Sequence, residues 1–113
     1  MKFHVLIGNE VVGESGLEHG DPPMGVAFGA LNANPAFDQY RTQIDDDGFV
    51  QTPAPIRVRD QSGKDLTGQA ISIQVFVLDG ETDELEVSIL GMDSSDYERW
   101  FKHHVETYEK QFR

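Results

Sequence analysis

The sequence predicts an α+β domain: an antiparallel sheet of about five to six strands, a short middle helix, and a long C-terminal amphipathic helix packed on one face. Three observations carry this. Apolar residues alternate in Phe3, Val5 and Ile7, in Ile71, Ile73, Val75 and Val77, and in Leu85, Val87 and Ile89, which is strand spacing. Gly8-Asn9 sits between two such runs, and both residues tolerate the positive φ of a tight hairpin turn. Near the C-terminus Tyr97, Phe101, Val105, Tyr108 and Phe112 recur at helical intervals and mark one face of a helix. The 113 residues suffice for one domain spanning the whole chain, with a core that needs no staple.

The elements follow in chain order. Glu10-Val11-Val12 is the return strand of the first hairpin. The stretch from Gly13 to Gly29 contains Gly13, Gly16, Gly20, Gly25 and Gly29 together with Pro22-Pro23, so its first part is expected to be irregular. Val26 to Leu31 resumes as a strand. Asn34-Pro35 starts the middle helix, because Asn caps and Pro suits the first helical position. Phe37, Tyr40 and Ile44 share its buried face, and Asp45-Asp46-Asp47-Gly48 ends it.

Thr52-Pro53-Ala54-Pro55 is an extended connector. Ile56 and Val58 then face inward while Arg57 and Arg59 face outward, and Asp60 to Lys64 form a turn. The run from Ile71 and the run around Val87 are expected to pair as an antiparallel hairpin at the sheet centre, joined by an acidic loop from Asp79-Gly80. Phe76 and Leu78 add apolar weight to the second face of the first of these strands, so its far end is expected to be covered on both sides. Ser95-Asp96-Tyr97-Glu98 has the pattern of a capping box for the last helix. Trp100 lies off the aromatic stripe and is expected at the surface.

Charge is the strongest compositional signal. Twenty acids against nine Lys and Arg give a net charge of -11. Residues 1–54 hold eight acids against Lys2 and Arg41, whereas residues 94–113 are balanced at four and four. Such a field repels nucleic acid and anionic membrane and attracts basic partners. There is no cysteine, the N-terminal apolar run is too short for a signal peptide, and no apolar run approaches a membrane span. These features together predict a cytoplasmic protein.

Motifs for chemistry fail on inspection. Around Gly48 the calcium-loop pattern puts Gln43 and Ala54 where carboxylates are required, and the histidines lack zinc spacing, so no metal site is assigned. Gly13-Glu14-Ser15-Gly16 misses the nucleophile-elbow pattern by one position. Gly20 to Gly25 has phosphate-loop glycine spacing, yet Val26-Ala27 replaces the required Lys and hydroxyl. No catalytic residue and no cofactor site are therefore assigned.

The candidate binding residues are Glu18, His19, Asp21 and Met24 in the glycine-rich stretch, stiffened by Pro22-Pro23, and the pair Arg57 and Arg59. The two arginines either pair across strands with Glu84 or Glu86 or recognise a partner's carboxylate. The run Leu17-Glu18-His19-Gly20-Asp21-Pro22-Pro23-Met24-Gly25-Val26-Ala27-Phe28-Gly29, and more distantly Ile89-Leu90-Gly91 with the tail helix, resembles segments of small uncharacterised bacterial proteins. That resemblance implies a bacterial cytoplasmic origin and carries no activity. The leading expectation is a protein-binding module, of an inhibitor or immunity type, that captures a basic partner. The alternatives are a homo-oligomeric accessory protein pairing through Trp100 or an open sheet edge, and a small enzyme or small-molecule binder using the Glu18-His19-Asp21 loop.

Overall fold

A computed structural model describes residues 2–76 and 84–111. The expected strand alternation is present, but it builds two four-stranded antiparallel sheets rather than one of five to six strands. The strands are β1 (Phe3–Ile7), β2 (Glu10–Ser15), β3 (His19–Asp21), β4 (Val26–Ala30), β5 (Asn32–Ala33), β6 (Ile56–Arg59), β7 (Ala70–Phe76) and β8 (Glu84–Leu90). One sheet has the order β5-β2-β1-β6 and the other β3-β4-β8-β7. Inward residues of both sheets, including Val5, Val12, Val58, Ile73, Val87 and Ile89, join a single buried core.

The first hairpin forms as its sequence predicts, with Gly8 in the left-handed region at φ 62°. The glycine-rich stretch departs from expectation. β2 runs on to Ser15, and His19–Asp21 pairs with β4 through His19↔Phe28, Gly20↔Ala27 and Asp21↔Val26. Partnering overrides local propensity here, because β4 supplies the backbone bonds that the segment could not satisfy alone.

The middle helix is a 3₁₀ helix, η2 (Pro35–Tyr40), started as expected by the Asn34 side chain accepting from the Ala36 N–H at 2.9 Å. It is too short to include Ile44, which instead bridges Val50. The aspartate run turns the chain: Asp45 Oδ1 accepts from the Asp47 and Phe49 amides. This lays residues 48–50 along β7, where the Val50 N–H donates to the Ile73 carbonyl and the Val75 N–H to the Gly48 carbonyl. β7 and β8 pair over their whole length, but β8 is the interior strand and β7 the outer one. Phe76 is 39% exposed rather than covered on both sides. Val77, Leu78 and the Asp79-Gly80 loop lie outside the described residues.

All four outer strands are short or covered. β5 has two residues and β3 three. β6 is flanked by Asp65 and Leu66, whose amide donates to the Val58 carbonyl at 2.8 Å.

Helix α1 (Ser94–Lys110) is capped two residues earlier than the Ser95 box implies, by Asp93, whose carboxylate accepts from the Ser95 N–H at 3.0 Å. Its backbone kinks at Phe101 (φ -127°, ψ 35°). The buried face holds Tyr97, Trp100, Phe101 and His104, while Phe112 lies outside the described residues. Trp100 is therefore core rather than surface and offers no pairing face to a second copy. Its indole Nε1 donates to Asp60 Oδ2 at 3.0 Å, and Lys64 Nζ lies 5.7 Å from the ring centroid. Asp60 Oδ1 also accepts from the Ser62 amide, the Ser62 hydroxyl and the Lys64 amide. One carboxylate thus fixes the β6–β7 turn and anchors the helix to it.

These donors, the Ser62 hydroxyl foremost, hold the Asp60 carboxyl well below its ordinary value of 3.8. A depressed carboxyl stabilises the fold while ionised, and that contribution is lost as the pH falls below the ordinary value. Asp60→Asn should therefore lower the melting temperature at neutral pH. The gap to wild type should close as the pH drops through the carboxylate range, as followed by circular dichroism. A gap that stays constant down to strong acid would contradict the role given to Asp60.

Candidate functional site

The site is built where the glycine-rich stretch meets α1. After Ser15 the chain turns sharply, and Leu17 occupies the left-handed region at φ 45°, unusual for a residue with a side chain. Three contacts hold it there. Its amide donates to Ser15 Oγ at 3.1 Å, its carbonyl lies 2.8 Å from His104 Nε2, and its side chain is fully buried. A carbonyl can only accept, so His104 carries its proton on Nε2.

Gly20 permits the close approach of the helix to β3. A Cβ at this position would collide with the Tyr97 hydroxyl and crowd the His104 ring. Tyr97 donates in turn to the Val26 carbonyl at 2.9 Å. Beyond β3, Pro22–Met24 form a single 3₁₀ turn, η1, closed by the Gly25 N–H donating to the Pro22 carbonyl at 3.0 Å. The Met92 amide donates to the Gly25 carbonyl at 2.9 Å, and Gly25 at φ 66° faces the Met92 backbone so closely that no side chain fits.

Between β3 and the C-terminal half of α1 runs an open groove of about 620 Å³. Glu18, His19 and Asp21 line its sheet side with Phe28, and His103 and Thr107 line its helix side, over the buried His104. His19 and Phe28 pack with ring centroids 5.3 Å apart, and His103 and His104 lie at 4.1 Å. Glu18 and His103 also line a second groove of about 480 Å³ that reaches Lys2, Glu14 and Ser15. Among the described residues no group of three or more His, Asp or Glu is placed to hold a metal ion.

Burial pushes the His104 imidazole below its ordinary value, and His103 and His19 push the same way. The Leu17 carbonyl and Glu18 oppose them. Burial, then the nearby Asp21 carboxylate, pushes the Tyr97 phenol up to about 12, so it stays a donor throughout the neutral range.

The sequence-predicted residues divide. Glu18, His19 and Asp21 come together in one groove. Met24 lies apart from it on the η1 turn and is 66% exposed. Arg57 and Arg59 sit on β6 in the other sheet and do not reach Glu84 or Glu86. Both pair with Asp65, at 2.8 and 3.4 Å, and Arg57 also donates to the Gly8 carbonyl at 3.0 Å. These bonds tie the outer strand to its neighbouring loop and to the first hairpin turn. Sequence reasoning missed Phe28, His103, His104 and Thr107. For His104 a signal existed: it stands three residues after Phe101 and seven after Tyr97, on the same helical face.

Comparisons with known protein families, with curated proteins and with solved structures find no match for this chain. The chemistry must be read from the groove itself. Its lining has two carboxylates and no lysine or arginine among the described residues, so its field favours a cation over an anion.

A histidine whose folded value is depressed stabilises the fold above its ordinary 6.5, and the contribution is lost as the pH falls through that value. His104→Gln keeps a side-chain donor for the Leu17 carbonyl, so urea unfolding of this variant should vary less with pH between neutrality and mild acid than wild type does. An unchanged pH slope would contradict the assignment. Gly20→Ala should destabilise by about 1–3 kcal/mol through overpacking. In a Tyr97→Phe background the penalty should shrink by about 0.5 kcal/mol or more, since the colliding oxygen is gone. Simple additivity in the double-mutant cycle would place the clash elsewhere.

Proposed function

We propose that the chain is a binding module for a basic protein, contacted through the acidic face that carries β3 and η1. The observation that carries this reading is Met24. A large apolar side chain stands 66% exposed on a turn closed by the Gly25–Pro22 backbone bond and held just beyond it by the Met92–Gly25 and Tyr97–Val26 contacts. A pre-formed exposed apolar anchor suits an interface hot spot, and its rigidity lowers the ordering cost of association. Asp21 immediately precedes the turn and Glu18 stands at the other end of β3, and among the described residues neither has a salt-bridge partner. The net charge of -11 supplies long-range attraction toward a Lys- and Arg-rich surface.

The test is affinity purification from the source cell lysate with wild type and with a Glu18→Gln, Asp21→Asn, Met24→Ala variant, read by mass spectrometry. A basic protein should be retained by wild type alone. In a purified pair Met24→Ala should weaken affinity by about tenfold, or about 1.4 kcal/mol. Added salt should weaken it further by screening. If every retained protein binds wild type and variant equally, or ignores salt, this reading fails.

A further inference from the structure

We propose that the groove between β3 and α1 is a socket for one arginine side chain of the basic partner; this deepens the reading above and rests on it. The walls set the chemistry. Glu18 and Asp21 place two carboxylates along one side, while the lining has no Lys or Arg among the described residues. An anion entering the groove would meet uncompensated negative charge, and an aliphatic group would leave both carboxylates partly dehydrated and unpaired. A cation satisfies them.

Planarity favours guanidinium over ammonium. The groove presents the packed His19–Phe28 pair on the sheet side and the His103 ring on the helix side. A guanidinium stacks on such faces and bonds a carboxylate with two parallel N–H groups at once, whereas a lysine ammonium is a compact, strongly hydrated point charge that cannot make the paired bond. The walls are also held in place. The Leu17 carbonyl is fixed by His104 beneath Glu18, and Gly20 lies directly under the Tyr97 hydroxyl between His19 and Asp21. The carboxylates therefore project from a backbone that need not reorganise when the cation enters. At about 620 Å³ the open groove admits the side chain together with ordered water.

The probes are agmatine, a free guanidinium alkylamine, and the amides of arginine, lysine and citrulline. Each is titrated into the full chain at pH 8 and low salt and followed by amide chemical shifts. At that pH an ordinary imidazole carries no charge. Agmatine and arginine amide should shift the amides of Glu18 to Asp21 and of His103 to Thr107 with saturable, millimolar affinity. Lysine amide should bind several-fold more weakly. Citrulline amide, the neutral isostere, should leave these amides in place. Glu18→Gln with Asp21→Asn should weaken agmatine binding by at least about tenfold, about 1.4 kcal/mol, while Met24→Ala should not change it.

The comparison of agmatine with citrulline amide uses the wild-type chain alone, so it stands even if the double variant folds poorly. Equal shifts from the two, or none from agmatine at tens of millimolar, would overturn the socket. Met24-dependent capture of a basic protein without agmatine binding would overturn the socket and leave the docking reading intact. Agmatine binding without any captured protein would overturn the docking reading and, with it, the partner's arginine as occupant, leaving only a guanidinium-binding groove.

Discussion

Helix α1 buries an aromatic face that carries three polar atoms, and each finds its partner in a different part of the chain. Tyr97 donates to the Val26 carbonyl on β4, Trp100 to the Asp60 carboxylate in the β6–β7 turn, and His104 to the Leu17 carbonyl before β3. The rings alone would tolerate other placements. Sliding the helix by one turn keeps much of the apolar burial, worth roughly 1.5–3 kcal/mol per large side chain. It would also strand three buried donors at about 1–3 kcal/mol each. Burial differs little between the two registers whereas the stranded donors differ, so the polar tips decide the register. With the helix placed, Phe3 and Phe101 meet at 5.6 Å and the core of both sheets closes against it.

The groove is a by-product of that placement. Because His104 reaches under the sheet to Leu17, the turn before β3 is held in an uncommon backbone conformation, and Glu18 and His19 are delivered to the groove side. Because residue 20 lacks a side chain, β3 lies close enough to α1 for the two elements to form opposing walls. The same stretch then turns through Pro22-Pro23 and leaves Met24 exposed. An acidic groove and, apart from it on the next turn, an apolar anchor thus sit on one continuous segment that is fixed before any partner arrives, which is the physical basis of the binding role proposed for the chain.

Much of the fold was legible in the residues and some was not. The Gly8-Asn9 hairpin, the Asn34-Pro35 start, the β7–β8 pairing and the amphipathic tail each rest on local signals, and local signals survive folding. The division into two sheets rests on partners distant in sequence, such as β4 with β8 and β1 with β6, and no local pattern encodes it. Trp100 was misplaced because a stripe drawn at intervals of three and four misses a residue that the kink at Phe101 and the Asp60 acceptor bring inside. Arg57 and Arg59 were correctly placed on an outward strand face. Their true partner, Asp65, sits across a turn that alternation alone does not position. Glu18, His19 and Asp21, which line the sheet side of the groove, were singled out by the oddity of their segment. The helix half of the groove was not, because His103 and Thr107 read locally as ordinary polar positions.

The covered rims of both sheets bear on how this molecule can meet others. The 48–50 segment occupies the outer side of β7, the Asp65–Leu66 segment that of β6, and β3 and β5 end after three and two residues. Along these rims an incoming peptide finds few free main-chain groups in register to extend the ladder, so fibril growth by lateral strand addition lacks a template there. Recognition is left to side chains, whose charge and shape discriminate among visitors in a way that main-chain pairing does not.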